Sequence, residues 1–167
     1  DSLKKLMDTI KMLHAEENDV DLIFCNYVYE HVEDNKQYRM HYKNAFPRDK
    51  VFTWKTMKRF HIYQFLMMHS MVFRTQVLRD AKLELPKHTF YEDNLMVYLT
   101  LQFVEKIYYL NKDLYLYTIG REGQSVQHDI TMKRYSHQVL VSKSCFCAFH
   151  LDDIKEKKLR QYLAQEL

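Results

Sequence analysis

Apolar residues recur at helical spacing over the first stretch of the chain. Leu3, Leu6, Met7, Ile10 and Leu13 form one stripe, and Asp1 or Ser2 stands where a cap is needed. After a polar break from His14 to Asp19 comes Val20–Val28 (VDLIFCNYV), a nearly continuous β-rich run that predicts a buried central strand. Glu30 to Asp49 is polar, aperiodic and interrupted by Pro47, which reads as an edge hairpin or an excursion loop. Thr53 is placed to cap a helix reaching about Phe65, with Met57, Phe60, His61 and Phe65 on one stripe. Leu66–Phe73 (LMMHSMVF) predicts a second buried, strand-like segment beside the first, and Thr75–Ala81 a short helix.

Beyond a loop at Pro86, Tyr91-Glu92-Asp93 opens a helix over Asn94–Gln102 with Leu95, Tyr98, Leu99 and Gln102 facing inward. Lys106–Leu110 and Leu114–Thr118 read as two short strands joined by a tight turn at Asn111-Lys112-Asp113. Ile119–Gln127 is a loop, Asp129 caps a helix to about His150, and Asp152 caps a last one. The order of elements predicts an α/β domain over residues 1–128, with 129–167 as a helical extension on its sheet.

Composition narrows the function classes. The 167 residues suffice for one domain with a proper core. A net charge of +3 with both signs well mixed, and no basic run interleaved with aromatics, argues against nucleic acid. No apolar run approaches the roughly 20 residues of a membrane span, and the first residues show no basic-then-apolar leader. Cys25, Cys145 and Cys147 form neither a disulfide framework nor a zinc pattern, so a reducing, cytoplasmic setting is expected. The nine histidines include no closely spaced pair that would make an autonomous metal site.

Three features can carry chemistry. The carboxylates of Glu92 and Asp93 sit at a helix start, where the dipole alone stabilises acids by roughly 0.3–1 kcal/mol each. The same place suits a general base that takes a proton from a hydroxyl. Both glycines of the chain, Gly120 and Gly123, fall in the loop that also holds Arg121, Gln124, Ser125 and, shortly after, His128. Glycine permits close approach to a ligand, and arginine forks onto phosphate oxygens. His69-Ser70 lacks a neighbouring acid for a triad and reads as a hydrogen-bonded core histidine. Trp54 suits packing better than a sugar platform. The 13 tyrosines suit core edges or sugar clefts.

In order, Ile23-Phe24-Cys25-Asn26-Tyr27, Ser70-Met71-Val72-Phe73-Arg74 through Leu78, Phe90-Tyr91-Glu92-Asp93, Ile107 through Tyr117, and Gly120-Arg121-Glu122-Gly123-Gln124-Ser125-Val126 resemble segments of family 2 inverting glycosyltransferases of the bacterial cell-surface polysaccharide type. The resemblance spans about residues 1 to 128. It implies a GT-A-like mixed sheet with C-terminal helices, and transfer of a sugar from a nucleotide-diphosphate sugar to a glycan, polyol-phosphate or lipid-linked acceptor. It makes Asp93 the general base and Glu92 its orienting neighbour. Arg121, Gln124 and Ser125 would meet the donor diphosphate, and His128 the metal or phosphate side. The implied cofactor is Mg or Mn, and the implied location is the cytoplasm, at the inner face of the membrane by peripheral association. The family's metal-holding Asp-x-Asp and its first nucleoside-binding strands are read as missing, so the chain alone is expected to be inactive and able to self-associate. The rival expectation is a non-catalytic binding module with a tyrosine-rich surface; a hydrolase would need a second acid that the sequence does not nominate.

Overall fold

The computed structural model describes residues 1–61, 64–121, 124 and 128–167, and of His128 and Asp129 the backbone only. Its centre is the long strand β1, Leu22–His31. One edge of β1 pairs in parallel with β5, Ile107–Ile119. The other edge is shared by two short antiparallel partners, β4 (Met71–Phe73) near its start and β2 (Gln37–Met40) near its end. Strand β3, Val51–Phe52, pairs antiparallel with the first residues of β5. The result is a mixed five-stranded sheet in an α/β fold.

The apolar run of β1 is buried on both faces, as a central strand requires. On one face Ile23 and Cys25 meet Tyr108 and Leu110 of β5 beneath helix α1, Ser2–Ala15. That helix begins where the Asp1 carboxylate accepts the Leu3 N–H at 3.0 Å. It buries Leu6, Thr9 and Leu13 and leaves Leu3 and Met7 exposed, so its inward stripe is narrower than the sequence suggests. On the other face Leu22, Phe24, Ile107 and Tyr109 join the larger core, in which Phe24, Phe46 and Trp54 pack ring against ring. Trp54 is fully buried, with its indole N–H donating to the Val104 carbonyl at 2.7 Å. Helices α3 (Glu92–Thr100), α5 (Tyr135–Ala148) and α6 (Lys157–Glu166) add Leu95, Val141 and Leu163 to this core, and the Tyr162 hydroxyl accepts the Leu66 N–H at 3.0 Å.

Asp21 fastens the start of the sheet. Its carboxylate accepts the N–H groups of Glu105 and Lys106 at 2.8 and 2.9 Å and pairs with the Arg74 guanidinium. Its own carbonyl accepts the Arg74 N–H at 2.9 Å, so one residue ties together the chain entering β1, leaving β4 and entering β5.

Four expectations need correction. Of the helix read from Thr53 to Phe65, the described residues form only a single 3₁₀ turn, Trp54–Thr56, with no side-chain cap bond from Thr53. Lys58 N–H instead bonds to Ala45, while the buried Gln64 amide spans His41 and Asn44, so this chain is held by long-range partners rather than by its own helix. Leu66–Phe73 reaches the sheet only over Met71–Phe73, after a 3₁₀ turn at Met68–Ser70. Asn111-Lys112-Asp113 is no turn: β5 runs straight through it. The helix read from Asp129 breaks into α4 (His128–Lys133) and α5 at Arg134, and Asp152 caps no helix: it lies inside a 3₁₀ turn, Leu151–Asp153, while α6 begins after Glu156 without a side-chain cap bond. The short helix α2, Thr75–Asp80, forms as expected.

Candidate functional site

Halfway along the central pair the ladder slips. Cys25 pairs with Leu110, Asn26 with Asp113 and Tyr27 with Tyr115, so β5 carries extra residues across a bulge. The buried Asn26 holds it open. Its amide N–H₂ donates to Asn111 Oδ1 at 3.0 Å and Asp113 Oδ1 at 3.2 Å, and its Oδ1 accepts the Tyr109 hydroxyl at 2.6 Å. Asp113 is then neutralised by Arg39 of β2 at 2.7 Å. None of the knot's buried side-chain polar atoms is left without a partner, as a buried network requires.

Past this knot the character of the sheet changes. Tyr27 and Tyr29 of β1 and Tyr115 and Tyr117 of β5 come to one face, two apart on each strand. Tyr29 meets Tyr117 with centroids 5.6 Å apart, and Tyr115 lies 6.3 Å from Tyr117. His69 is set among them, 4.2 Å from Tyr27, 5.1 Å from Tyr115 and 5.1 Å from Tyr117. Its buried Nε2 has no hydrogen-bond partner among the described residues, and burial depresses its pKa to about 4, so the ring is neutral. The expectation of a hydrogen-bonded core histidine is therefore corrected: rings, not polar partners, enclose it. The sequence did carry a signal for this group, the period-two tyrosines in both strands, which line one face once the strands are neighbours.

Asp93 is near enough to Tyr117 of this group for its charge to act on the phenol. The carboxyl is half-buried in the first turn of α3. Burial first, and then the neighbouring Glu92 charge, hold its pKa above the ordinary carboxylate value. Burial first, and then Tyr29, raise the Tyr117 phenol; Asp93 adds to this and Arg121 works against it, so the two candidate residues act weakly on one ring from different elements. The approach to Asp93 is constrained. Tyr91, the residue before the helix, has φ 69°, which a bulky residue adopts only when its surroundings hold it there. The other non-glycine residues with positive φ among the described residues are all exposed; Tyr91 is partly buried. Helix α5 supplies the hold. His137 Nδ1 accepts the Phe90 N–H at 3.1 Å, and the Arg134 guanidinium lies 3.6 Å over the Phe90 ring. Neither residue is signalled by the sequence.

Arg121 and Gln124 lie with Tyr115 and Tyr117 in a cleft of about 440 Å³ along the outer edge of β5. Gln124 is committed to the loop itself. Its Oε1 accepts the N–H groups of Gly120 and Arg121 at 2.8 and 3.0 Å, and its Nε2 donates to Thr118 at 2.6 Å. Gly120 has φ +96°, where a side chain would be strained. Ser125 and Gly123 lie outside the described residues, as does the side chain of His128. Neither Glu92 nor Asp93 lines this cleft.

Among the described residues no three His, Cys, Asp or Glu side chains converge to hold a metal ion. One Asp-x-Asp triplet does occur, Asp19-Val20-Asp21, which corrects the absence read from the sequence. It is not built to hold a metal: Asp19 pairs with the exposed His14 at 3.1 Å, and Asp21 is used up by Arg74 and two backbone N–H groups. Of the thiols, Cys25 and Cys145 are buried and Cys147 is exposed, all unpaired. No family model matches the chain, and no curated protein matches it significantly.

Proposed function

We propose that the chain is the acceptor side of an inverting glycosyltransferase with a GT-A-like fold, of the family 2 type that builds bacterial cell-surface polysaccharide. The observation that carries this reading is the half-buried, proton-favouring carboxyl of Asp93 sharing Tyr117 with Arg121. In the transfer, Asp93 takes the proton of an acceptor hydroxyl as its oxygen bonds to the anomeric carbon of the donor sugar. The bond from that carbon to the diphosphate breaks on the opposite face, and the diphosphate leaves with the electron pair, steadied by Arg121. Burial keeps the Asp93 pKa high, and Glu92, one residue away, adds to it. The resemblance that suggests the fold also calls for Mg or Mn at the diphosphate; the described residues offer no ligand set, so no step is routed through it. In this reading the donor-binding part lies outside these 167 residues, and the enzyme works in the cytoplasm against the inner face of the membrane. No helix among the described residues is long and apolar enough to cross one.

One observation favours a second reading, a binding module without chemistry: among the described residues the cleft holding Tyr115, Tyr117 and Arg121 is lined by no carboxylate. Asp93→Asn in the full enzyme separates the two. If Asp93 is the base, turnover should fall by about 10²-fold or more, and the wild-type acid limb of kcat should lie above 3.8, the ordinary carboxylate value. Because burial raises the Asp93 pKa in the fold, the native state holds that proton more tightly than the unfolded chain does. The resulting cost to stability is absent below the unfolded value and grows as pH rises through the folded one. Removing the charge should therefore not lower the melting temperature at pH 7. Near-normal turnover with a lower melting temperature would make Asp93 a helix cap and remove it as the base, whereas a wild-type protein that binds sugar and transfers none would favour the binding module.

A further inference from the structure

We infer that Tyr115 and Tyr117, with Tyr29 beside them and His69 behind them, form a stacking wall for a neutral sugar ring of the acceptor. This rests on the glycosyltransferase reading and narrows its acceptor class from glycan, polyol phosphate or lipid-linked sugar to one that presents a pyranose ring at this wall.

The wall is built and supported. The His69 imidazole lies nearly parallel to Tyr115, 22° between planes at 5.1 Å, so the Tyr115 ring is braced from one side. Tyr115 is 47% exposed, while Tyr27, at the back of the group, is 2% exposed. Tyr29 stands edge-on to both Tyr27 and Tyr117, and its hydroxyl accepts the Tyr27 O–H at 3.3 Å, which fixes the rear of the group. A braced ring loses little conformational freedom when something docks on it, which favours binding. The face of an aromatic ring is electron-rich, and one face of a pyranose presents a row of electron-poor C–H groups, so the two match in shape and in charge. Hydroxyls at the rim of such a sugar need polar partners, and the phenols of Tyr115 and Tyr117 stand there with Arg121 in the same cleft. At about 440 Å³ that cleft falls within the range of small-ligand sites, roughly 300–1,000 Å³.

Charge argues against a phosphate-bearing chain as occupant. Among the described residues the cleft is lined by one cation, Arg121, and the His69 behind it is neutral. The nearest basic residue of β2, Arg39, is already paired with Asp113. A repeating polyol phosphate carries an anion on every unit and would need a row of cations to repay their desolvation. A neutral ring needs none.

The test is saturation-transfer NMR on this chain. The probes are a panel of neutral methyl disaccharides of gluco, galacto and N-acetylgluco configuration, set against a glycerol-phosphate hexamer. The expected result is millimolar binding of at least one disaccharide, with its C–H face receiving the saturation, and no comparable binding of the hexamer. Tyr115→Ala should weaken the disaccharide about tenfold, the scale of one aromatic contact. Tyr115→Phe, which keeps the ring, should stay within about threefold on the same scale. Phe146→Ala, at an exposed ring on α5, serves as the control and should change nothing. The inference is overturned if no disaccharide binds, if the hexamer binds more tightly, or if Tyr115→Ala leaves affinity unchanged. Disaccharide binding that needs Tyr115 in a protein whose Asp93→Asn enzyme still transfers sugar would keep the wall and sink only the assigned base.

Discussion

The two ends of the β1–β5 ladder are made from the same pair of strands and do opposite work. At the start, Leu22–Cys25 runs in register with Ile107–Leu110, apolar on both faces and closed beneath α1 on one side and the large core on the other. At the far end, Tyr27–His31 lies beside Tyr115–Ile119, with tyrosines on one face and side chains partly open to solvent. The Asn26 knot divides them. A sheet can thus be a closed foundation over its first four rungs and a partly open, tyrosine-lined surface over its last five, provided a satisfied polar bulge absorbs the change of register.

The largest effect should come from the foundation. Asp21→Ala leaves Arg74 without its partner and two backbone N–H groups without an acceptor. Discounted for the half-exposed Arg74, the loss should be about 3 kcal/mol. In a chain of this size that is a drop of about 6–12 °C in melting temperature, readable by circular dichroism. A loss below about 0.5 kcal/mol, typical of a surface change, would show that the foundation is not fastened there. The dividing knot comes next. Asn26→Leu keeps the side chain's bulk but strips Tyr109, Asn111 and Asp113 of their common partner, and should cost about 2 kcal/mol. If the knot holds the register, amide exchange should quicken in Tyr115–Ile119 more than in Ile107–Leu110; equal quickening would erase the division between the two ends. The smallest effect is chemical. Burial pushes the Cys25 thiol up to about 12 and Cys145 up to about 11, so a maleimide at neutral pH should mark the exposed Cys147 first and Cys25 last. Fast labelling of Cys25 would mean that the foundation opens readily.

The foundation was legible in the sequence because each of its signals is local. The stripe of α1 with Asp1 before it, the apolar run of β1, and the acidic first turn of α3 each need only near neighbours to be read. What stayed hidden depends on partners far along the chain. Asn111-Lys112-Asp113 has the composition of a turn, and only the amide of Asn26, more than eighty residues earlier, makes it a bulge. The Met57–Phe65 stripe imitates a helix, yet Met57 and Phe60 are drawn into the core by Phe46 and Tyr162 rather than stacked on one another. At the candidate site, Asp93 and Arg121 could be nominated from residue type and position. The tyrosine wall left only its period-two spacing in each strand as a signal, because the wall itself exists only after two strands have been laid side by side in a slipped register.

The grip of α5 on Phe90 bears on how the chain should be divided. The segment after residue 128 reads in sequence as an extension that could be trimmed from the catalytic part. In the folded chain it reaches back, through His137 on a backbone N–H and Arg134 on a ring, to the step immediately before Glu92 and Asp93. The boundary drawn by sequence therefore runs through the machinery that sets the posture of the candidate base. Anyone trimming, grafting or recombining this fold at that seam would carry off the acid and leave behind the hand that holds it.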